Sequence, residues 1–277
     1  MNSKELTIVI VTFKSERTLF SCLESIPNNI DVIIVENSKN EHFKKNIESK
    51  FNNVKCILSG ENKGYAVANN LGLRNVTTKY ALVLNPDATL EQNTINNFLN
   101  TAEEIKNFWL IGPGNDQAKQ YDFKDKNIIE VNNIRGFAIF FNLKNFEKNF
   151  FDENFFLYFE EIDLCERVKK NKGKIFLDKN IIINHKGAKS VEITQKIELE
   201  KNRNWHWMWS TFYFHRKHKG FLIALMVIFP KLVSSIVRTV FYILTFNKMK
   251  KEIYYSRMSG ILNSILGKKS WYRPPLD

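Results

Sequence analysis

Residues Leu6–Phe13 read LTIVIVTF and Tyr80–Leu84 read YALVL, with DVIIV (Asp31–Val35) and the run Val54–Leu58 between them. Each is short, apolar and rich in β-branched residues, which is how a strand buried on both faces reads. Helical segments separate them: about Ser15–Ile26, closed by Pro27, then Glu41–Phe51 and Tyr65–Arg74. Strands alternating with helices predict an α/β, Rossmann-like architecture, a mostly parallel sheet with helices on both faces. Such sheets bind ligands beyond the carboxyl ends of their strands. The residues to watch are therefore Thr12 and Phe13, then Glu36, Asn37 and Ser38, the polar loop Gly60–Gly64, and Asn85–Pro86–Asp87.

The composition fits this picture. The chain has 277 residues, 44% hydrophobic and 25% charged, which excludes a disordered or collagen-like chain. Cys22, Cys56 and Cys165 are widely spaced, so neither a zinc ribbon nor a disulfide scaffold is expected. The opening MNSKEL lacks the apolar core of a signal peptide, and the expected location is the cytosol or the cytosolic face of a membrane. No P-loop, GxGxxG, GxSxG or HExxH is present, against the commonest nucleotidase, dehydrogenase, hydrolase and zincin readings.

The net charge of +12 is unevenly placed. Residues 199–277 carry 14 Lys/Arg against Glu200, Glu252 and Asp277, a net +11, while residues 1–198 stand at +1. The chain therefore divides into a nearly neutral body, 1–198, and a basic, aromatic, helical region, 199–277. The latter holds Trp205, Trp207, Trp209 and Trp271 and the apolar stretch Phe221–Phe246, interrupted by Pro230, Lys231 and Arg238. Lys231, Ser234, Ser235, Arg238, Tyr242 and Thr245 recur at three- or four-residue steps, one polar stripe on a greasy helix. Such a helix lies in a membrane interface more readily than it crosses, with tryptophans and basic residues at the headgroups of an anionic leaflet. Plain packing on the body is the alternative. Nucleic acid is disfavoured, because the bases are interleaved with long aliphatic runs. The oligomeric state is not legible.

Three constellations carry candidate chemistry. Asp87 ends a buried strand, where a carboxylate can hold a divalent cation bridging diphosphate oxygens; a turn whose Asp caps a helix starting near Thr89 is the plainer reading. In FFLYFEEIDLCER (Phe155–Arg167), Glu160, Asp163 and Arg167 share a helix face, with Asp163 and Arg167 an i,i+4 pair, and Glu161 lies on a neighbouring one. Carboxylates beside aromatics suit a general base, although acids also favour a helix start. IIINH (Ile181–His185) ends an apolar run in a histidine, a candidate ligand or a structural residue. Gly136, between Arg135 and Phe137, marks either a close approach to substrate or a bend. Cys165 reads as packing.

Taken in order, these pieces resemble the GT-A-fold family 2 glycosyltransferases, in particular the bacterial rhamnosyltransferase-like branch. The resemblance rests on VIVTF (Val9–Phe13), VENS (Val35–Ser38), ENKGYAVANNLG (Glu61–Gly72), LNPDA (Leu84–Ala88), RGFAIF (Arg135–Phe140), FDENFFLYFEEIDLCER (Phe151–Arg167) and NHKGAKS (Asn184–Ser190). It implies an inverting, metal-dependent transfer from a nucleotide-activated sugar. Thr12, Phe13 and Glu36 would line the nucleoside pocket, and Asn62, Gly64, Asn70 and Asn85 would border the ribose and diphosphate. Asp87, matching the last acid of the family's DxD, and His185 would hold Mg²⁺ or Mn²⁺. Glu161 would be the base, supported by Glu160 and Asp163, with Arg135, Gly136, Phe137 and Asp152 on the sugar or acceptor side. Asn85 replaces the first acid of DxD, Glu36 and Glu161 stand where Asp is usual, and Arg135 where a small residue is usual. The expected activity is transfer of a sugar, rhamnose from dTDP-rhamnose first, to a lipid-linked or cell-envelope glycan at the membrane surface. A UDP-hexose or UDP-GlcNAc transferase of the same fold, and an inert nucleotide-sugar-binding scaffold, are the alternatives.

Overall fold

The computed structural model describes residues 5–114, 121–185 and 196–273. The chain forms two compact units: Met1–Asp152 with Leu164–Glu192, and Glu153–Asp163 with Ile193–Asp277.

In the first unit the order is β1 (Leu6–Thr12), α1 (Glu16–Glu24), β2 (Asp31–Glu36), α2 (Glu41–Lys50), β3 (Val54–Leu58), α3 (Gly64–Leu73), β4 (Tyr80–Leu84), β5 (Ala88–Leu90), α4 (Thr94–Glu104), β6 (Leu110–Pro113), β7 (Ile128–Glu130), β8 (Ala138–Asn142), the helix α5 (Glu160–Lys170), which starts in the second unit, β9 (Ile175–Asp178) and β10 (Ile183–His185). Eight strands pair in the order β3-β2-β1-β4-β8-β6-β9-β7, and β5 pairs with β10 apart from them. Only β8 and β7 run against the rest, so the sheet is mostly parallel.

The apolar runs are continuous because each strand feeds two cores. Leu6, Ile8 and Ile10 of β1 and Tyr80, Leu82 and Leu84 of β4 face the core shared with α1, α2 and α4. Val9, Ala81 and Val83 face the other, with Ala66 and Leu73 of α3 and Leu164, Cys165 and Val168 of α5. Two-residue alternation within an all-apolar strand requires this layering. Cys165 is buried packing, as its sequence context suggests.

Two boundaries differ from expectation. The first helix ends at Glu24 rather than Ile26, because Ser25 Oγ bonds the Cys22 carbonyl and accepts the amide of Leu90 at 3.0 Å. No helix starts near Thr89: Ala88–Leu90 pairs antiparallel with Ile183–His185, and α4 begins at Thr94, whose hydroxyl donates to the Ile182 carbonyl at 2.6 Å.

The second unit is built on α6 (Lys196–Lys219), α7 (Phe221–Leu244) and α8 (Lys248–Ile265) around Met208, Phe212, Ala224, Ile228 and Ile261. The helix α7 runs through Pro230, which is exposed. Two of the tryptophans expected near headgroups are interior instead. Trp205 bonds Ser259 Oγ at 3.2 Å and Trp209 bonds the Lys268 carbonyl at 3.0 Å, since a buried indole N–H needs a partner. A Cβ on Gly260 would overlap the Trp205 carbonyl, so α6 and α8 meet where only glycine fits.

In the first unit, a Cβ on Gly72 of α3 would land on the Val9 methyl of β1. Gly72→Ala is therefore expected to lose about 1–3 kcal/mol in urea unfolding, and Val9→Ala in the same chain to recover part of it.

Candidate functional site

At the carboxyl end of β2 the chain builds a hydrogen-bonded network from polar side chains. Asn37 is its hub. Its amide nitrogen donates to Asn62 Oδ1 at 3.0 Å and the Gly64 carbonyl at 3.3 Å. Its oxygen accepts from Ser59 Oγ at 3.1 Å and the Lys63 amide at 3.0 Å. Asn62 Oδ1 also takes the Gly64 amide at 3.1 Å, and Gly64 itself, at φ +81°, adopts the left-handed turn that opens α3. Asn37 was legible only as a strand-end polar residue beside Glu36; its organising role needed the fold.

Glu36 is buried, and Ser38 Oγ donates to its Oε1 at 2.7 Å. Burial pushes its carboxyl up to about 7, against the Ser38 hydrogen bond and helped by the charge of Glu16. Thr12, at the end of β1, is buried with its hydroxyl oxygen unpartnered among the described residues, and Phe13 beside it is half-buried. Asn70 has a different place from the one expected. Its amide nitrogen donates to the Phe151 carbonyl at 2.8 Å and its oxygen accepts the Phe151 amide at 2.9 Å. It ties α3 to the segment before Asp152 instead of bordering a ligand.

The turn after β4 carries Asp87. The Asn85 amide donates to the Phe137 carbonyl at 2.8 Å, and the Ala88 amide closes the turn onto the Asn85 carbonyl at 3.1 Å. Asp87 is 2% exposed, and its Oδ1 has no hydrogen-bond donor among the described residues. That oxygen lies 3.3 Å from His185 Nε2. The β5–β10 ladder sets this distance by placing His185 opposite Ala88. The imidazole stacks on Phe137, centroids 4.5 Å apart and planes within 7°. Phe137 is itself buried, so the ring expected on the sugar side braces the histidine instead. Gly136 gives its carbonyl to the Tyr65 hydroxyl at 2.6 Å. Arg135 is exposed and Asp152 half-buried. Lys186–Ser190 lie outside the described residues.

A buried carboxylate oxygen lacking a donor, facing an imidazole nitrogen, fits a divalent cation. Two ligands each about 2.1 Å from one ion and at right angles lie about 3 Å apart. Among the described residues no three His, Cys, Asp or Glu converge, so the chain offers this pair and leaves other positions to oxygen ligands from elsewhere.

The second unit holds the acids. Segment 153–163 packs on α6: Phe155 on Tyr213, Phe156 on His206, Tyr158 and Phe159 on Trp207, with Ser210 Oγ donating to the Leu157 carbonyl at 3.0 Å. His206 is buried between Ser270 Oγ and the Tyr272 carbonyl, each at 2.9 Å, and burial pulls its pKa down to about 3. Tyr158 and Phe159 both have positive φ, 70° and 72°, a strained pair directly before the acidic turn. Asp163 is fully buried and accepts from Lys217 Nζ at 2.6 Å and His218 Nε2 at 2.7 Å. Arg167 reaches the carbonyls of Asn149 and Phe150. The partners of Asp163 come from the end of α6, some fifty residues on, which no local spacing could reveal.

Glu160 is buried with Oε2 unpartnered, and burial followed by the charge of Glu161 pushes its carboxyl up to about 8. Glu161 is half-buried; burial raises its pKa too, opposed by the backbone amides of Glu161 and Ile162. Burial thus drives both carboxyls towards the protonated form, and Glu160 is pushed further by the charge of Glu161.

Comparison with known proteins gives the context. The family described as Glycosyl transferase family 2 matches residues 7–165. A Haloferax volcanii protein named low-salt glycan biosynthesis hexosyltransferase Agl10 is 25% identical over 198 residues, 62% of this chain and 64% of its own length. A teichoic acid poly(glycerol phosphate) polymerase from Staphylococcus epidermidis is 30% identical over 103 residues, 34% of this chain and 14% of its own. The match thus spans less than two thirds of either relative. Among solved structures, the Pyrobaculum calidifontis mannosyltransferase PcManGT, in complex with GDP-Man and Mn²⁺, superposes with TM-score 0.59 at 12% identity over 96% of this chain and 88% of its own. S. aureus TarS 1–349 gives TM-score 0.55 at 13% identity over 97% and 93%; it has also been solved with UDP-GlcNAc. At these identities the likeness speaks for the fold alone.

The raised pKa of Glu160 sets a pH dependence. The folded chain keeps a proton that the unfolded chain releases near the ordinary value of 4.5, so this contribution to stability is full below that value and is lost as pH rises towards about 8. Urea midpoints are expected to fall across that window, and to fall less in Glu160→Gln.

Proposed function

The chain belongs to glycosyl transferase family 2, and from that premise we propose that it transfers a sugar from a nucleoside diphosphate donor to an acceptor hydroxyl with inversion at the anomeric carbon. The observation that carries this reading is the donor-less Asp87 Oδ1 facing His185 Nε2 at 3.3 Å. These two residues would hold Mg²⁺ or Mn²⁺. When bound, the ion supplies positive charge against the diphosphate.

The chain's own residues divide the remaining work. Thr12, Phe13 and Glu36 line the nucleoside site, and an ionised Glu36 accepts the ring N–H of the base. The Asn37–Asn62–Gly64 network fixes the loop beside it. Glu161 takes the acceptor proton as the oxygen bonds to the anomeric carbon; the C–O bond to the diphosphate breaks, and the nucleoside diphosphate leaves with the electron pair. Glu160, buried beside it, supports Glu161 from the same helical turn. Asp163, held by Lys217 and His218, fixes the first turn of α5. A general base contributes typically about 10²–10⁴-fold.

For the donor we take a dTDP- or UDP-sugar, dTDP-rhamnose first, on the motif resemblance. The acceptor we take as a lipid-linked or cell-envelope glycan hydroxyl. A UDP-hexose or UDP-GlcNAc donor is the second reading, favoured by the printed names of a hexosyltransferase relative and of a neighbour solved with UDP-GlcNAc.

Two tests follow from these roles. In thermal shift with nucleotides and Mn²⁺, Asp87→Ala and His185→Ala should each lose the metal-dependent stabilisation. Glu161→Gln should keep it while transfer falls at least about 10²-fold; full turnover by that variant would remove Glu161 as the base. Because the Glu36 carboxyl sits near 7 and its ionised form binds, nucleotide affinity should fall by up to about tenfold per pH unit below that value. Affinity unchanged across the range would remove Glu36 from the base contact.

A further inference from the structure

The helix α7 turns its polarity the opposite way from a soluble surface helix. Its buried positions are Ala224, Ile228, Ser235 and Thr239, one face packed within the second unit. The two hydroxyls there bond their own helix, Ser235 Oγ to the Lys231 carbonyl and Thr239 Oγ1 to the Ser235 carbonyl, each at 2.7 Å. The polar stripe read from the sequence is thus split, with Ser235 inward and Ser234, Arg238 and Thr245 outward. Large apolar side chains cover the outer side: Leu222, Met226, Phe229, Val237, Phe241 and Leu244 are all exposed, and Phe246 at the tip is 94% exposed. A contiguous apolar surface of this extent marks an interaction site. Phe221–Leu244 is long and apolar enough to cross a bilayer.

The border of that surface says what covers it. Tyr254 of α8 is flanked by two guanidiniums: Arg238 lies 5.2 Å from its ring and Arg257 5.5 Å. Arg238 also donates to the Tyr254 hydroxyl at 2.5 Å. Tyr242 stacks on Tyr254, centroids 5.6 Å apart, and Lys250 sits 5.2 Å over Tyr242. Among the described residues neither Arg238 nor Arg257 meets a carboxylate. The result is a seam of cations and tyrosines running beside the apolar surface, with no counter-charge of its own. Tyrosines and snorkelling arginines of this kind belong at the phosphate level of a membrane.

We infer that the second unit docks on an anionic lipid bilayer, with the outer face of α7 in the acyl layer and the Arg238–Tyr254–Arg257–Lys250 seam on lipid phosphates. A second copy of the chain is the other apolar partner. A two-fold pairing through this face would, however, bring two such seams together, and residues 199–277 contain only Glu200, Glu252 and Asp277 as acids. Glu252 is already paired with Lys251. Lys231 and Arg238 fall within the length of α7 and one face of the helix packs inside its own unit, so the helix lies along one leaflet. This inference stands whatever the donor sugar.

Flotation of the full chain with phosphatidylcholine vesicles, with and without phosphatidylglycerol, tests it. The wild type should float with the anionic vesicles, more weakly with the neutral ones, and be released by alkaline carbonate. The fourfold variant Met226→Gln, Phe229→Gln, Val237→Gln and Phe241→Gln changes exposed positions only and should bind at least about 100-fold more weakly, with unaltered circular dichroism and nucleotide thermal shift. Arg238→Gln with Arg257→Gln should lose about tenfold on anionic vesicles alone. Undiminished flotation of the fourfold variant, resistance to carbonate, or a wild-type dimer that the fourfold variant converts to a monomer would each overturn the inference. Loss of the nucleotide shift with flotation intact would count against the proposed reaction instead.

Discussion

A buried carboxylate oxygen without a hydrogen-bond donor is costly to keep, because desolvation removes its water and nothing replaces it. Asp87 Oδ1 is in that position, and much of the first unit is arranged to hold it there. The β4 strand delivers the turn, the Asn85 amide fastens it to the Phe137 carbonyl, and the short β5–β10 ladder brings His185 across from Ala88. Phe137 then fixes the imidazole plane. The proposed transfer starts from this oxygen and the imidazole beside it, which would hold the cation.

The second unit sets two carboxyls side by side in one helical turn. Glu160 is driven towards its neutral form by burial and by Glu161, whereas Glu161 sits nearer solvent and close to backbone amides. The Tyr158–Phe159 pair at positive φ stores strain just before this turn, and aromatic contacts with Trp207 and Phe214, together with the Asp163–Lys217–His218 cluster, over-determine it. The base in the proposed reaction is thus defined by its surroundings more than by its own identity.

The sheet was legible because β1, β2 and β4 are nearly continuous apolar runs, the pattern of a strand buried on both faces. Glu36 and Asp87 stood out for the same reason, each a polar residue closely following such a run. The sequence reading failed where a role depends on distant partners. Asn70 looked like a ligand contact but bonds the backbone of Phe151, 81 residues away. Phe137 stood out as a neighbour of Gly136 on the expected sugar or acceptor side, and its stacking on His185 needed the fold. Three-residue β5 was hidden because a strand that short has no period to read, and its partner lies beyond Asn180. In α7, spacing put Ser234, Ser235 and Arg238 on one polar stripe, but Ser235 is buried alongside Thr239. Spacing cannot say whether a polar face meets water or protein, and here those two residues turn inward.

Pulsed electron paramagnetic resonance of Mn²⁺ added to the protein with a nucleoside diphosphate tests the central assignment most directly. The account predicts nitrogen modulation from one imidazole in the wild type, lost in His185→Ala while the Mn²⁺ signal of the nucleotide remains. Bound Mn²⁺ with no nitrogen coupling in the wild type, or coupling that survives in His185→Ala, would contradict it.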